Sequence, residues 1–181
     1  MSKIIFITGG ARSGKSSFAE QMAGELSESV GYLATAEALD PEMEDRIRLH
    51  RERRPAHWKT VEEPFDLARG VSRLFVESDV VILDCLTLWV SNLIHRYASG
   101  VEETAKAYLK KVFDLNTASG DKILILVSNE VGMGIIPELP INRVFSDVLG
   151  RVNQFVAAQA DEVYFMVSGI PMKLNSEKVN R

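Results

Sequence analysis

The sequence predicts an α/β fold in which a mostly parallel central sheet carries helices on both faces. Five short apolar segments, residues 4–8, 30–34, 80–84, 123–128 and 162–167, alternate with longer stretches of helical periodicity. Parallel strands need such crossovers and, covered on both faces, read as near-continuous apolar runs. A glycine-rich turn joins the first of these strands to the first helix.

That turn carries the most informative residues of the chain. Gly9-Gly10-Ala11-Arg12-Ser13-Gly14-Lys15-Ser16 fits the phosphate-binding pattern G-x-x-x-x-G-K-[ST]. The preceding Ile4-Ile5-Phe6-Ile7-Thr8 reads as a buried strand, and Phe18, Met22 and Leu26 recur at a helical spacing of four after it. Strand, glycine loop and helix is the order the chemistry needs. The glycines let backbone N–H groups turn inward around a polyphosphate, and the helix N-terminus adds a positive dipole end. A lysine at position 15 reaches the β- and γ-phosphates, and a hydroxyl at position 16 ligates Mg²⁺. The expected architecture is therefore P-loop NTPase-like, and the chain is expected to bind a nucleoside triphosphate.

The second strand, 30–34, leads into a segment that stands apart, residues 36–65. Asp40-Pro41-Glu42 is a helix start, with Asp40 as N-cap and Pro41 at the first helical position. Met43, Ile47 and His50 then share one face, while Arg46, His50 and Arg54 form an overlapping stripe. Arg54 precedes Pro55, so the helix should end there. Five arginines, at 46, 48, 51, 53 and 54, crowd an otherwise acidic chain. Charge runs of this kind are commonly solvated faces; beside a triphosphate the other reading is a phosphate clamp. His50 divides the same way, between a satisfied, partly buried histidine and a nucleophile or acid–base group acting on phosphate.

Val80-Val81-Ile82-Leu83-Asp84 resembles a Walker B strand, an apolar strand ending in an acid that faces Mg²⁺. Cys85 reads as a small packed residue. Ser128-Asn129-Glu130-Val131-Gly132-Met133-Gly134 follows the fourth strand, where ligands gather in open α/β sheets, so Asn129 and Glu130 are candidate substrate contacts. Arg151 and Asn153 are ambiguous. His57 reads as a packed loop residue and His95 as solvated or C-capping. Residues 168–174 read as a turn and an antiparallel return strand that Pro171 keeps at the sheet edge, followed by a polar, frayed 175–181.

Bulk properties bound the function. With 181 residues, 46% hydrophobic and 25% charged, the chain is expected to form one domain that buries about 70% of its unfolded surface. A net charge of −4 argues against nucleic-acid or anionic-membrane binding. A single cysteine permits no internal disulfide and fits a reducing cytoplasm. Neither a secretory signal nor a membrane span is expected. The sequence has no N-K-x-D guanine-recognition motif, and its D-x-x-G match, Asp147-Val148-Leu149-Gly150, lies far from the phosphate loop in a helical stretch, which argues against a signalling GTPase. From the residues, three readings stand: an enzyme using both the loop and His50, a single-function small-molecule kinase with His50 structural, and a nucleotide-dependent regulatory ATPase or GTPase.

A resemblance separates them. The loop at Thr8–Ser16, the segment Ile47-Arg48-Leu49-His50-Arg51-Glu52-Arg53-Arg54-Pro55-Ala56-His57-Trp58, the Ser128-Asn129-Glu130-Val131-Gly132-Met133-Gly134 turn and Gly150-Arg151-Val152-Asn153-Gln154 occur in this order in one family. The chain resembles the bifunctional adenosylcobinamide kinase/adenosylcobinamide-phosphate guanylyltransferases of cobalamin biosynthesis over nearly its whole length. The resemblance implies two reactions: phosphorylation of the cobinamide hydroxyl by ATP or GTP, then transfer of GMP from GTP through a covalent histidine–GMP intermediate. It places the nucleophile on His50; Leu49 stands where relatives often have a second histidine. It places nucleotide contacts on Gly9, Gly10, Ala11, Arg12, Ser13, Gly14, Lys15 and Ser16, on Thr35, Ala36 and Glu37, on Arg51, Glu52, Arg53 and Arg54, and on Glu62 and Asp84. A glycine often occupies the position of Arg53. Catalysis falls to His50 and Lys15, and Mg²⁺ to Ser16 and Asp84. A homotrimer with the site near subunit contacts, a corrinoid substrate and a cytoplasmic location are further implications.

Overall fold

Short apolar runs that cannot satisfy their own backbone groups pair into one sheet. The computed structural model describes residues 1–37, 41–52 and 54–174, apart from the side chains of Pro41, Glu42 and Arg46. The expected N-cap Asp40, Arg53 and the expected frayed tail 175–181 lie outside the described residues. The strands are β1 (Lys3–Gly9), β2 (Val30–Ala34), β3 (Lys59–Glu62), β4 (Val80–Asp84), β5 (Ile123–Val127), β6 (Glu162–Val167) and β7 (Ile170–Leu174). Their order is β3-β2-β4-β5-β1-β6-β7. All neighbours are parallel except β6 and β7, which pair antiparallel as the return strand predicts.

The helices are α1 (Lys15–Leu26), α2 (Pro41–Glu52), α3 (Leu67–Phe75), α4 (Leu86–Arg96), α5 (Val101–Ala118) and α6 (Pro140–Gln159). Alternation along the strands builds two cores. Ile5, Ile7, Tyr32, Ala34, Val80, Ile82, Ile125 and Val127 face α1 through Ala19 and Ala23. Phe6, Leu33, Val81, Leu83, Leu124 and Leu126 face the other way, onto α3 to α6 through Leu74, Trp89, Leu109 and Val156. Trp89 is fully buried and donates its indole N–H to the Phe65 carbonyl at 2.9 Å. Asp66 caps α3 by accepting from the Arg69 N–H at 3.1 Å.

The segment 36–65 carries more than the helix that Pro41 opens. It holds α2, but ends in β3, which pairs with β2 at the sheet edge. The reason is local: Lys59-Thr60-Val61-Glu62 turns only Val61 fully inward, so four residues with one buried side chain carry almost no strand signal.

Candidate active site

The glycine loop emerges from the carboxyl end of β1, between β5 and β6 in the sheet. Its turn runs through positive φ at Gly9 (148°), Arg12 (57°) and Gly14 (92°). Glycine is required at position 9, where a Cβ would lie 2.5 Å from the Met166 carbonyl oxygen. The Gly169 N–H donates to the Ser13 carbonyl at 3.0 Å, so the β6–β7 turn braces the loop from behind.

Lys15 opens α1 and is only 6% exposed. Its ammonium donates to the Gly10 carbonyl at 2.6 Å and to Ser13 Oγ at 3.4 Å. Burial lowers its pKa, against a smaller upward pull from the Asp84 carboxylate. A cation held in a desolvated cradle by neutral oxygens is poised to exchange them for a polyanion.

Asp84 ends β4 and pairs in register with Ala34. Tyr32, on the same sheet face, donates its hydroxyl to Asp84 Oδ2 at 2.6 Å. Burial, and next the adjacent carboxylate, push the Tyr32 phenol well above its usual range, so it remains a donor. The Arg54 guanidinium lies 3.3 Å from the Tyr32 ring centroid. Burial raises the Cys85 thiol to about 12, which suits a packed residue and removes it as a nucleophile.

One cavity of about 490 Å³ gathers these groups. Ala11, Arg12, Ser13, Gly14, Lys15 and Ser16 line it from the loop. Met43, Ile47, His50 and Arg51 line it from α2, followed by Arg54. Ala36, Glu62, Asp84 and Asn129 also line it, with Tyr32 and Thr60. The loop and His50 therefore share a pocket although 35 positions separate Lys15 from His50. The arginine run divides. Arg48 pairs with Asp45 (3.1 Å) and Glu52 (2.9 Å) on the solvated side of α2. Arg51 faces the cavity and approaches Glu62 at 3.7 Å.

Several expected residues lie behind the wall rather than on it. Thr35 is buried, and its Oγ1 donates to the Cys85 carbonyl at 2.7 Å while accepting the Cys85 N–H at 2.9 Å. Gly9, Gly10, Glu37, Glu52 and Glu130 are not among the residues that line the cavity. Glu130 accepts from the Gly132 N–H at 2.7 Å. Asn153 donates to the Asn129 carbonyl at 3.0 Å and so supports a residue that faces the cavity. Arg151 joins Glu102 at 2.6 Å, tying α6 to α5. His57 is exposed, and His95 is exposed with Nδ1 2.8 Å from the Ser91 carbonyl oxygen. Tyr32 and Thr60 are among the cavity residues that sequence reasoning overlooks. A tyrosine inside the buried run Val30-Gly31-Tyr32-Leu33-Ala34 was the available signal, because a buried hydroxyl needs a partner.

Comparison with known proteins adds the family. The model of the cobinamide kinase / cobinamide phosphate guanyltransferase family matches residues 5–174. The chain belongs to this family. It is 41% identical to the bifunctional adenosylcobalamin biosynthesis protein CobU of Escherichia coli, covering 94% of this chain and 99% of that one. The protein CobP of the same description from Pseudomonas aeruginosa is also 41% identical, over 94% of this chain and 96% of its own length. Among solved structures, the flagellar accessory protein FlaH of Methanocaldococcus jannaschii superposes with a TM-score of 0.51 at 17% identity, covering 96% of this chain and 76% of that one. A second, an ATPase domain, gives a TM-score of 0.55 at 12% identity, over 91% of this chain and 69% of that one. At such low identity these two likenesses speak for the fold, and they agree with the P-loop NTPase-like architecture that the glycine loop predicts.

Proposed function

We propose that this chain phosphorylates adenosylcobinamide with a nucleoside triphosphate and then, through a covalent His50–GMP intermediate, converts the product to adenosylcobinamide-GDP. The observation that carries this reading is the shared cavity: Lys15 and Ser16 of the phosphate loop and His50, Arg51 and Arg54 of the arginine-rich segment line one pocket. Kinase chemistry asks the protein for positioning and charge neutralisation. Lys15 meets the β- and γ-phosphates, and the loop N–H groups hold the chain of phosphates while the cobinamide hydroxyl attacks the γ-phosphorus and loses its proton to solvent; the β–γ P–O bond breaks and the nucleoside diphosphate leaves.

In the second reaction the neutral His50 imidazole attacks the α-phosphorus of GTP. A P–N bond forms, the α–β P–O bond breaks, and pyrophosphate departs. A phosphate oxygen of cobinamide phosphate then attacks the same phosphorus and releases His50. Splitting the transfer gives two displacements, each with a lower barrier than direct transfer. Arg51 and Arg54 neutralise charge that builds on the phosphoryl oxygens.

The donors fit Mg²⁺. It is a hard cation that takes oxygen ligands and is commonly held by one or two protein groups plus phosphates. Asp84 and Ser16 both line the cavity, and Tyr32 occupies Oδ2 of Asp84. When bound, Mg²⁺ would neutralise the triphosphate oxygens. The same reading includes the other expected contacts, Gly9, Gly10, Thr35, Glu37, Glu52, Arg53 and Glu62. It also includes a homotrimer and a cytoplasmic location, the latter checked by cell fractionation. No helix among the described residues is long and apolar enough to cross a membrane.

His50→Ala is the deciding variant. Incubated with GTP labelled at the α-phosphate, it should form no acid-labile protein adduct and make no GDP-cobinamide, while cobinamide phosphate accumulates. GMP transfer by the variant, or label on another residue, would remove His50 as the nucleophile. Equal loss of both activities in a folded variant would assign His50 a structural role instead.

A further inference from the structure

Tyr32 touches both halves of the proposed chemistry and belongs to neither. It sits mid-strand in β2, is 1% exposed, and lies two register positions back from the Ala34–Asp84 pair. Its hydroxyl has one proton, and that proton goes to Asp84 Oδ2. The bond restrains the rotation of the carboxylate. The Tyr32 ring carries the planar Arg54 guanidinium at 3.3 Å from its centroid. Arg54 begins the chain after α2, two residues beyond Glu52, and its backbone N–H donates to the Arg51 carbonyl at 3.3 Å. Arg54 thus bridges the C-terminal end of the His50 helix and strand β2.

We propose that Tyr32 is a positioning residue serving both reactions: its hydroxyl aims the Asp84 carboxylate at the cation, and its ring seats Arg54 and with it the end of the helix that carries His50. The inference rests on the two-reaction reading above. It separates two effects that reside in different atoms of one side chain, so they respond to different substitutions.

Tyr32→Phe keeps the ring and removes the hydroxyl. A hydrogen bond to a charged group is worth about tenfold or more in an equilibrium. Tyr32→Phe should therefore weaken cation binding about three- to tenfold and shift the Mg²⁺ requirement of both reactions more than their rates at saturating Mg²⁺. Tyr32→Leu also removes the platform under Arg54 and should lower His50–GMP formation at saturating Mg²⁺ by about a further tenfold. Arg54→Lys keeps the charge but not the flat stack. It should reproduce that loss of adduct.

The direct readout is Mn²⁺ binding, followed by the free-ion paramagnetic signal in the presence of a GTP analogue with a non-hydrolysable β–γ link. Adduct formation is measured separately across a Mg²⁺ titration. Unchanged Mn²⁺ affinity in Tyr32→Phe overturns the role of the hydroxyl. Wild-type adduct formation in Tyr32→Leu or Arg54→Lys overturns the role of the ring. If wild-type protein forms no adduct on His50, the two-reaction reading itself fails, whereas the Mn²⁺ titration still judges the contact between Tyr32 and Asp84.

Discussion

Replacing Lys15 with Met should separate stability from activity. Lys15 is 6% exposed, and its ammonium is held by the Gly10 carbonyl at 2.6 Å and by Ser13 Oγ at 3.4 Å. Burial works against its charge, as its lowered pKa records. Without nucleotide, two contributions nearly cancel. A hydrogen bond from a charged donor stabilises by about 1.5–3 kcal/mol, and desolvation of the ammonium costs a comparable few kcal/mol. Methionine matches the length and carries no charge, so the net change in folding free energy should be about 1 kcal/mol of either sign. For a domain of this size that moves the thermal midpoint by about 2–4 °C.

Activity should respond far more. Loss of one preorganised charge-stabilising donor costs about 2.7–4 kcal/mol of barrier, or about a hundred- to a thousandfold in rate. The assays are thermal unfolding of the nucleotide-free protein and steady-state phosphorylation of cobinamide. A third measurement links them. Ligand at a hundred times its Kd stabilises a protein by about 2.7 kcal/mol, so ATP should raise the wild-type midpoint and leave that of Lys15→Met nearly unmoved. Kinase turnover within threefold of wild type would refute the assignment of Lys15. A midpoint lowered by more than about 10 °C would show that the side chain holds the loop together rather than the substrate.

Glu162 gathers Lys3 at 2.9 Å, Lys173 at 3.0 Å and the Tyr164 hydroxyl at 2.7 Å across β1, β6 and β7. The Lys3 ammonium foremost, opposed by burial and aided by Tyr164 and Lys173, holds its carboxyl at about 2. A depressed folded pKa gives stability that is present above the unfolded value and lost as pH falls toward the folded one. At about 1.4 kcal/mol per unit the bound is about 3 kcal/mol, and the exposure of both lysines reduces it to about 1. Glu162→Gln should lower the midpoint by about 2–4 °C at pH 7, with the gap to wild type closing between about pH 5 and 2; a gap independent of pH would contradict the assignment. The proposed homotrimer should appear in sedimentation equilibrium at micromolar concentration, and a monomer there would remove it.

The phosphate loop was legible because its chemistry is local: consecutive residues at a strand–helix junction must supply turn, N–H groups, cation and hydroxyl. The central strands were legible because burial on both faces leaves no room for polar residues. What the sequence hid depends on pairing at a distance. Tyr32 reaches Asp84 only because β2 and β4 lie side by side with Ala34 opposite Asp84, a register set by tertiary packing across 52 positions. The arginines could not be sorted by composition, since Arg48 and Arg51 differ only in helix phase. Once Met43 and Ile47 face the cavity, the period of the helix carries His50 and Arg51 with them and turns Arg48 to its neighbours Asp45 and Glu52. The edge strand β3 stayed hidden because a single buried Val61 is too little pattern to read.

A chain of net charge −4 must still attract a polyanion, and the pocket shows how. Among its described lining residues, Arg12, Lys15, Arg51 and Arg54 stand against Glu62 and Asp84. The local field is therefore positive within an acidic surface, and low-dielectric walls concentrate it. The carboxylate that faces Lys15, Asp84, is also the one restrained by Tyr32 and suited to a cation, so a bound metal would leave Glu62 as the only uncompensated acid, and Arg51 already approaches it. The parallel sheet makes this concentration economical in chain length. The ends of β1, β2, β4 and β5 all open on one edge, and the β2–β3 crossover carries α2 over it. On the proposed mechanism, Lys15 works at one end of the triphosphate and His50 at the α-phosphorus. The crossover is then the element that lets a single phosphate-binding loop serve attack at either end of a bound triphosphate.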